Sequence, residues 1–328
     1  MFKDITVIIS ASRRTDIPAF YSDWFFKRMK QGFLYVRNPM NRKQVSKIIL
    51  NREVIDCIVF WTKNCEPMVA KLKNISAYTY YFQFTVNPYG NKIEKNVPTL
   101  KRSLHSFKTL SDLIGPDRVI WRYDPIFFPQ GFTFSDHLHF FRKTAKSLSK
   151  HTRKCMISFL DVYKKCKKNM KPIMYRNLKE TEIYEIGERF ALIAQDYNIR
   201  METCAEKADL SKFGLSKGKC IDDRLISKIS HKNIKAKKDK AQRDACRCVA
   251  SIDIGAYNSC MHHCLYCYAN YNFATVIKNF RRHDPESPLL YGNLTGDEKI
   301  TERKQKYSAV YQSIQNRPYC ILRPNIFQ

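Results

Sequence analysis

The chain has 328 residues, of which 44% are hydrophobic and 13% are aromatic. This composition supports a sizeable buried core, and no segment approaches the roughly 18 to 20 uninterrupted apolar residues of a membrane-spanning helix, so we expect no membrane association. Lysine and arginine number 58 against 30 aspartates and glutamates, a formal net charge of +28. The excess favours acidic partners, either a phosphate-rich or nucleic-acid ligand or an acidic protein, although a generally lysine-rich composition explains it as well.

Twelve cysteines are spread along the chain. Disulfide scaffolds are typical of short secreted proteins, and the first residues do not resemble a secretory signal, because Asp4 precedes the apolar run and a charged cluster follows it. We therefore expect a cytoplasmic protein with reduced cysteines. In that setting, clustered cysteines indicate metal binding, whereas isolated ones are usually small buried hydrophobic residues.

Apolar, β-branched segments predict seven strands, and helical patterns lie between several of them. The predicted strands are residues 5–11, 56–61, 80–86, 118–123, 155–160, 199–204 and 249–255. Amphipathic patterns predict a helix that ends near Gly32, a helix between Pro98 and Gly115, and a helix over residues 181–196. This alternation is typical of α/β proteins with a parallel sheet, and it predicts a (β/α) barrel or partial barrel.

Polar residues follow most of the predicted strands, where ligands bind in such folds. Arg13, Arg14, Asp16, Arg122 and Asp124 are the candidates for binding an anionic ligand or a substrate, because a guanidinium group matches a carboxylate or a phosphate with two hydrogen bonds. Other strand ends contribute Ser12, Lys63, Asn87, Asp161, Glu202, Cys204 and Glu206. The alternative interpretation is that Asp16 caps a helix and that the arginines form ordinary ion pairs.

Three cysteines lie within eight residues in the segment Cys260-Met-His-His-Cys264-Leu-Tyr-Cys267. Thiolates are the ligands that iron-sulfur clusters select, and three of them leave one iron of a 4Fe-4S cluster without a protein ligand. Zinc usually takes four ligands, so a zinc site with His262 or His263 as the fourth ligand stays open as an alternative.

The spacing CxxxCxxC, with Tyr266 directly before the last cysteine, resembles the signature of the radical S-adenosylmethionine superfamily. This resemblance implies that Cys260, Cys264 and Cys267 hold a 4Fe-4S cluster and that its unligated iron binds S-adenosylmethionine. It also implies an acidic electron donor such as a flavodoxin or ferredoxin, and Arg13, Arg14, Asp16, Arg122 and Asp124 then become candidates for binding S-adenosylmethionine or the substrate.

Almost the whole chain also resembles an uncharacterised bacterial family, domain of unknown function 1848. The matching segments are SASRRTDIPAFY, FWTKN, WRYDPI, CAE and SIDIGAYNSCMHHCLYCYAN. Unlike most radical S-adenosylmethionine proteins, this chain carries its cysteine loop near the carboxyl terminus and has no Gly-Gly-Glu element after its first strand. We therefore expect a circularly permuted barrel over residues 1–283, with residues 284–328 as a carboxyl-terminal extension.

Cys204, Cys220, Cys246 and Cys248 form a second candidate group, and four thiolates are enough to hold an auxiliary 4Fe-4S cluster. The alternative is that they are reduced, unligated cysteines. The leading hypothesis for function is a radical S-adenosylmethionine enzyme with an unknown substrate. Two others stay open: a nucleic-acid-binding protein with structural zinc or a structural cluster, and a two-cluster electron-transfer protein.

Overall fold

The structure of the protein is a computed structural model, and it describes residues 7–163 and 166–303. The strands are β1 (Ile8–Ala11), β2 (Phe33–Arg37), β3 (Gln44–Ile49), β4 (Cys57–Thr62), β5 (Tyr80–Thr85), β6 (Val119–Ile126), β7 (Phe128–Pro129), β8 (Lys154–Phe159), β9 (Tyr175–Arg176), β10 (Arg200–Thr203), β11 (Ser216–Lys217), β12 (Ile252–Asp253) and β13 (Lys299–Glu302). The α-helices are α1 (Ile17–Phe20), α2 (Ser22–Gln31), α3 (Glu66–Val69), α4 (Gly90–Ile93), α5 (Leu100–Ile114), α6 (Phe134–Leu148), α7 (Lys167–Met170), α8 (Glu180–Asp196), α9 (Asp223–Ser230) and α10 (Phe273–Phe280).

Eight strands form one parallel sheet in the order β12-β1-β4-β5-β6-β8-β10-β11. The predicted α/β class with a parallel sheet is confirmed, and each of the seven predicted strands supplies one strand of this sheet. The predicted strand over residues 5–11 begins outside the described residues. No pairing joins β11 to β12 within the described ranges, so closure into a barrel stays a prediction.

Each face of this sheet is covered by a different layer. Apolar side chains of α2, α5, α6 and α8 pack on one face, where Phe60, Phe82 and Trp121 are completely buried. The other face packs against the chain between Cys220 and Val249, which includes α9. Because both faces are covered, the strands read as nearly continuous hydrophobic runs, and this is why the sequence predicted them well.

The sequence missed two smaller sheets. β2 pairs antiparallel with β3, which also pairs parallel with β13, and β7 pairs antiparallel with β9. Of these strands, β3 and β9 are only partly buried and β13 is exposed, so these three lack a continuous apolar signal. The predicted extension after residue 283 packs against α2, where Trp24 Nε1 donates to the Ser287 carbonyl oxygen at 2.9 Å. Its division from the rest stays a prediction, and residues 304–328, with Cys320, lie outside the described residues.

None of the helices in the described ranges has both the length and the apolar composition that crossing a membrane requires.

A buried charged group lies at the amino-terminal edge of the sheet. Lys154 Nζ lies 3.0 Å from Glu202 Oε2 and 3.2 Å from Asp222 Oδ2, and each of the three side chains is at most 4% exposed. A cavity of about 670 Å³ adjoins this group, and Arg200 and Arg224 are among the residues that line it. The sheet therefore has a polar site at each end, and this one is remote from the cysteine loop.

His137 of α6 is buried in a fixed protonation state. Its Nε2 lies 3.0 Å from the Phe127 carbonyl oxygen, which can only accept, so Nε2 carries the proton and Nδ1 accepts from the Tyr123 hydroxyl at 2.6 Å. Burial lowers the pKa of His137 to about 4. The folded protein therefore keeps this ring neutral at a pH where the unfolded chain, with a histidine pKa of about 6.5, binds a proton.

We expect the free energy of unfolding to fall as the pH drops from about 6.5 to about 4, with His137 accounting for roughly 3 kcal/mol of the loss. The penalty is absent above this window, because both states are then neutral. Urea unfolding of the wild type and of His137→Gln at several pH values measures it. The variant is less stable at neutral pH, but its stability should fall less steeply; parallel curves would show that His137 is not the titrating group.

Candidate metal centre

The cysteine loop lies at the carboxyl ends of the parallel strands. It follows β12, which pairs with β1 at one edge of the sheet. Gly255 connects this strand to the loop, and a Cβ at this position would lie 2.2 Å from Ser12 Oγ, so only glycine lets the two segments approach so closely. Asp253 accepts hydrogen bonds from the hydroxyls of Ser10 and Ser12 at 2.8 and 2.6 Å and from the Arg13 amide at 2.9 Å. These contacts fix the start of the loop against the end of β1.

The three thiols of the loop lie near one another in a largely buried environment. Cys264 is buried, and Cys260 and Cys267 are partly buried. Burial raises the pKa of all three, and the proximity of the other two thiols raises that of Cys264 further. The Lys63 ammonium group acts in the opposite direction on Cys264 and Cys267. Binding of a cation here would displace protons from these thiols.

Asp16 holds the middle of the loop. Its Oδ1 accepts from the Ala19 amide at 2.9 Å, which caps α1, as the alternative interpretation of this residue predicted. Its Oδ2 lies 2.7 Å from His262 Nε2 and accepts from the Lys63 amide at 2.7 Å. His262 Nδ1 faces the Asn96 carbonyl oxygen at 3.5 Å. Asp16 is therefore the firm structural partner of His262, and Nδ1 has only the longer contact with Asn96.

The other histidine of the loop is also engaged. The ring of His263 stacks on Phe273 of α10, with 3.6 Å between the ring centroids and 4° between the planes. The segment after α4 runs along the loop, where the Asn96 amide donates to the His262 carbonyl oxygen at 3.0 Å and the Leu265 amide donates to the Ile93 carbonyl oxygen at 3.0 Å. The loop is thus held by stacking on one side and by backbone hydrogen bonds on the other.

A buried polar network adjoins the loop. Glu94 Oε1 lies 2.9 Å from Lys63 Nζ, and it accepts from Asn87 Nδ2 at 3.1 Å and from the Tyr266 hydroxyl. Burial alone would raise the pKa of Glu94, but the Lys63 ammonium and these hydrogen bonds lower it more, so the carboxylate stays charged. The sequence named Lys63 and Asn87 only as strand-end residues and missed Glu94, which lies in a loop without a pattern.

Arg122 and Asp124 of β6 lie between this network and the second cysteine group. Arg122 Nη2 lies 2.7 Å from Asp124 Oδ2, and Arg122 Nη1 lies 2.9 Å from Cys220 Sγ. Asn87 connects them to the polar network, because its Nδ2 donates to the Asp124 carbonyl oxygen at 2.8 Å. Burial raises the pKa of Asp124, but the Arg122 guanidinium and the Ser158 hydroxyl reverse this and hold it below its usual range.

The four cysteines of the second candidate group come together, although 44 positions separate the first from the last in the sequence. Cys204 Sγ and Cys220 Sγ are 3.0 Å apart, and the Cys220 amide donates to Cys248 Sγ at 3.2 Å. A hydrogen bond from Cys248 lowers the pKa of Cys246 to about 7. The fold thus brings together the four cysteines that the sequence analysis predicted as a second group.

The two arginines after β1 lie between the cysteine groups. Arg13 Nη1 lies 3.7 Å from Asp239 Oδ2, and Arg13 Nη2 is buried without a hydrogen-bond partner in the described part of the chain. Burial lowers the pKa of Arg13, but it is raised overall by the nearby thiols of Cys248 and Cys220 and by the carboxylate of Asp253. Arg14 pairs with Asp253 at 3.9 Å. Most of the predicted polar residues therefore lie at this carboxyl edge of the sheet, but Glu202 does not, because it pairs with Lys154 at the amino-terminal edge.

Within residues 7–163 and 166–303, no three or more His, Cys, Asp or Glu side chains converge so as to hold a single metal ion. Each thiolate of a 4Fe-4S cluster binds a different iron, so cluster ligands need not converge on one point.

Comparison with known proteins identifies the family. The sequence pattern described as domain of unknown function (DUF1848) matches residues 8–269. The chain belongs to the DUF1848 family. The matched region runs from β1 to just beyond Cys267, so it includes both cysteine groups and every strand of the large sheet. None of the curated proteins matches the chain significantly, and none of the solved structures does.

Proposed function

We propose that this DUF1848 protein is a radical S-adenosylmethionine-like enzyme that holds a 4Fe-4S cluster on Cys260, Cys264 and Cys267. The observation that carries the proposal is the loop itself: three neighbouring thiols lie at the carboxyl ends of a parallel sheet, while His262 is engaged by Asp16. Three neighbouring thiolates suit a cluster that has one open iron. When bound, the cluster supplies one electron to S-adenosylmethionine, which yields methionine and a 5'-deoxyadenosyl radical.

The order of strands supports a circularly permuted barrel or partial barrel. From β1 to β11, each strand of the large sheet pairs with the one before it along the chain, and β12 pairs with β1. β12 therefore occupies the place of a first strand, although it comes near the end of the sequence. A permuted order of this kind places the cysteine loop after the first strand in space, which is where the superfamily carries it.

The surrounding residues suggest roles in binding S-adenosylmethionine. The buried Nη2 group of Arg13 has no hydrogen-bond partner among the described residues, and a carboxylate would satisfy it. Lys63 is held by Glu94 close to Cys264 and Cys267 and offers a second cation. Asp16 already makes its contacts with α1 and His262, so we assign it to positioning the loop. We assign Arg14 to binding the substrate.

The second group supports an auxiliary cluster. Cys204, Cys220, Cys246 and Cys248 lie in contact at the same edge of the sheet, and Arg122 and Asp124 connect them to the polar network beside the loop. A net charge of +28 suits docking of an acidic electron donor such as a flavodoxin or ferredoxin.

Iron and sulfide analysis tests the proposal. We expect anaerobically reconstituted wild type to bind about eight irons with a similar amount of sulfide, and the variant with Cys260, Cys264 and Cys267 all changed to Ala to keep about four. Cys155→Ala is the control, because Cys155 is buried in the helix-covered face, away from both groups. Native protein with one zinc and no sulfide would contradict the proposal. A triple variant that is folded but free of iron would show that there is no auxiliary cluster.

A further inference from the structure

Four tyrosines lie near the cysteine loop, and we call them the tyrosine rim: Tyr163, Tyr257, Tyr268 and Tyr271. The rings of Tyr163 and Tyr268 contact each other, with 5.8 Å between their centroids, and the two residues are 41% and 42% exposed. The rings of Tyr257 and Tyr271 are stacked, with 5.6 Å between centroids and 29° between planes. The rim thus consists of two ring pairs.

The rim is attached to the candidate site. Tyr268 directly follows Cys267, and its hydroxyl donates to the Arg13 carbonyl oxygen at 2.7 Å. Arg14, the next residue along the chain, lies over the ring of Tyr257. The two ring pairs are therefore close to each other. A ligand on the rim therefore lies beside the loop.

Guanidinium groups accompany both ring pairs. Arg14 lies over the ring of Tyr257, with 5.0 Å from its guanidinium carbon to the ring centroid, and a quarter of its side chain is exposed. Arg243 pairs with Asp161 and acts electrostatically on Tyr163. Aromatic faces that alternate with guanidinium groups suit a ligand made of planar bases joined by phosphates, because the rings stack on bases and the cations pair with phosphates.

We propose that the substrate of this site is a single-stranded nucleic acid whose bases stack on the tyrosine rim. This inference rests on the proposed function and names its substrate class. A strand of this kind exposes the faces of its bases, whereas a duplex buries them in its own stack. The charge of +28 supplies the long-range attraction to a polyanion. Stacking is tolerant of sequence, because every base has a flat face, so the rim fixes the class of ligand and not a particular sequence.

Fluorescence anisotropy with labelled twelve-residue oligonucleotides tests the proposal on the reconstituted full-length protein. The probes are oligo(dT), oligo(U) and a DNA duplex of equal length, and the tighter of the two single strands identifies DNA or RNA as the source of the ligand. We expect the single strands to bind more tightly than the duplex. The double variant Tyr163→Ala, Tyr268→Ala should weaken single-strand binding about tenfold or more.

Two further variants separate stacking from charge and from loss of folding. The double variant Tyr163→Phe, Tyr268→Phe keeps both rings and should bind within about threefold of the wild type. Tyr184→Ala is the control, because it removes a tyrosine of α8 outside the tyrosine rim. The centroid of its ring lies 4.8 Å from Lys212 Nζ. This variant should bind with the affinity of the wild type. Equal affinity of the double Ala variant and the wild type, or a duplex bound as tightly as a single strand, would overturn the proposal and indicate binding by charge alone.

Measuring S-adenosylmethionine cleavage on the same reconstituted wild-type protein keeps this inference distinct from the proposed function. Tyrosine-dependent binding together with an absence of any S-adenosylmethionine cleavage would leave the binding site standing and reject the radical enzyme. Cleavage of S-adenosylmethionine without tyrosine-dependent binding would reject the nucleic-acid substrate and leave the enzyme.

Discussion

Reduced, cluster-loaded protein should release 5'-deoxyadenosine from S-adenosylmethionine even without its substrate, and Cys264→Ala should release at least about a hundredfold less. Cys264 is the buried member of the three thiols and lies beside Lys63 and Glu94. Its replacement leaves two thiolates, which do not hold a cluster with a single open iron. Chromatography of the products after dithionite reduction measures the effect.

The control for this prediction is Cys155→Ala, which should cleave S-adenosylmethionine as the wild type does, because Cys155 lies under the helices and not at the carboxyl edge of the sheet. Equal product from Cys264→Ala and wild type would mean that the cleavage is adventitious. A fully loaded wild-type cluster that gives no product would favour electron transfer or a structural role for the iron.

Lys154→Met should lower the free energy of unfolding by about 3 to 5 kcal/mol. The substitution leaves Glu202 and Asp222 buried at 2% and 4% exposure without the cation that lies between them. Arg200 approaches Glu202 at 3.3 Å and is 65% exposed, so it offsets only part of the loss. Urea unfolding followed by circular dichroism measures the change.

An exposed ion pair at the same edge provides the matched control. Lys228 Nζ lies 2.9 Å from Asp117 Oδ1, and the two side chains are 64% and 45% exposed. Lys228→Met should therefore change the free energy of unfolding by at most about 1 kcal/mol. A similarly small effect for Lys154→Met would show that water reaches the Lys154 group through the adjoining cavity.

The sequence predicted the strands of the large sheet because these strands are buried on both faces. It missed β11, which has only two residues, and β2 and β3, whose partly buried faces carry polar residues such as Arg37 and Lys47. A strand is visible in a sequence when burial leaves a continuous or alternating apolar pattern, which β3 and β11 lack. The apolar run of β2 is only four residues long, and so short a run does not distinguish a strand from a helix.

The candidate site was predictable where the residue type itself restricts the chemistry. Clustered cysteines indicate metal binding, so Cys204 and Cys248 could be assigned to one group in spite of their irregular spacing. Glu94 could not be predicted, because its role depends on Lys63 and Tyr266, which are distant in sequence and meet it only in the fold. Asp16 could be recognised as a helix cap, but its contact with His262 spans 246 positions.

The pairing of β1 with β12 determines when the candidate site can form during synthesis of the protein. Ile9 lies opposite Ile252, so β1 meets the strand that leads into the cysteine loop only after residues 12–251 have been synthesised. Until then, Asp16 and Lys63 have no loop to hold, and the three thiols have no fixed arrangement. If this loop holds the proposed cluster, iron can bind there only after the strands from β1 to β11 have been synthesised.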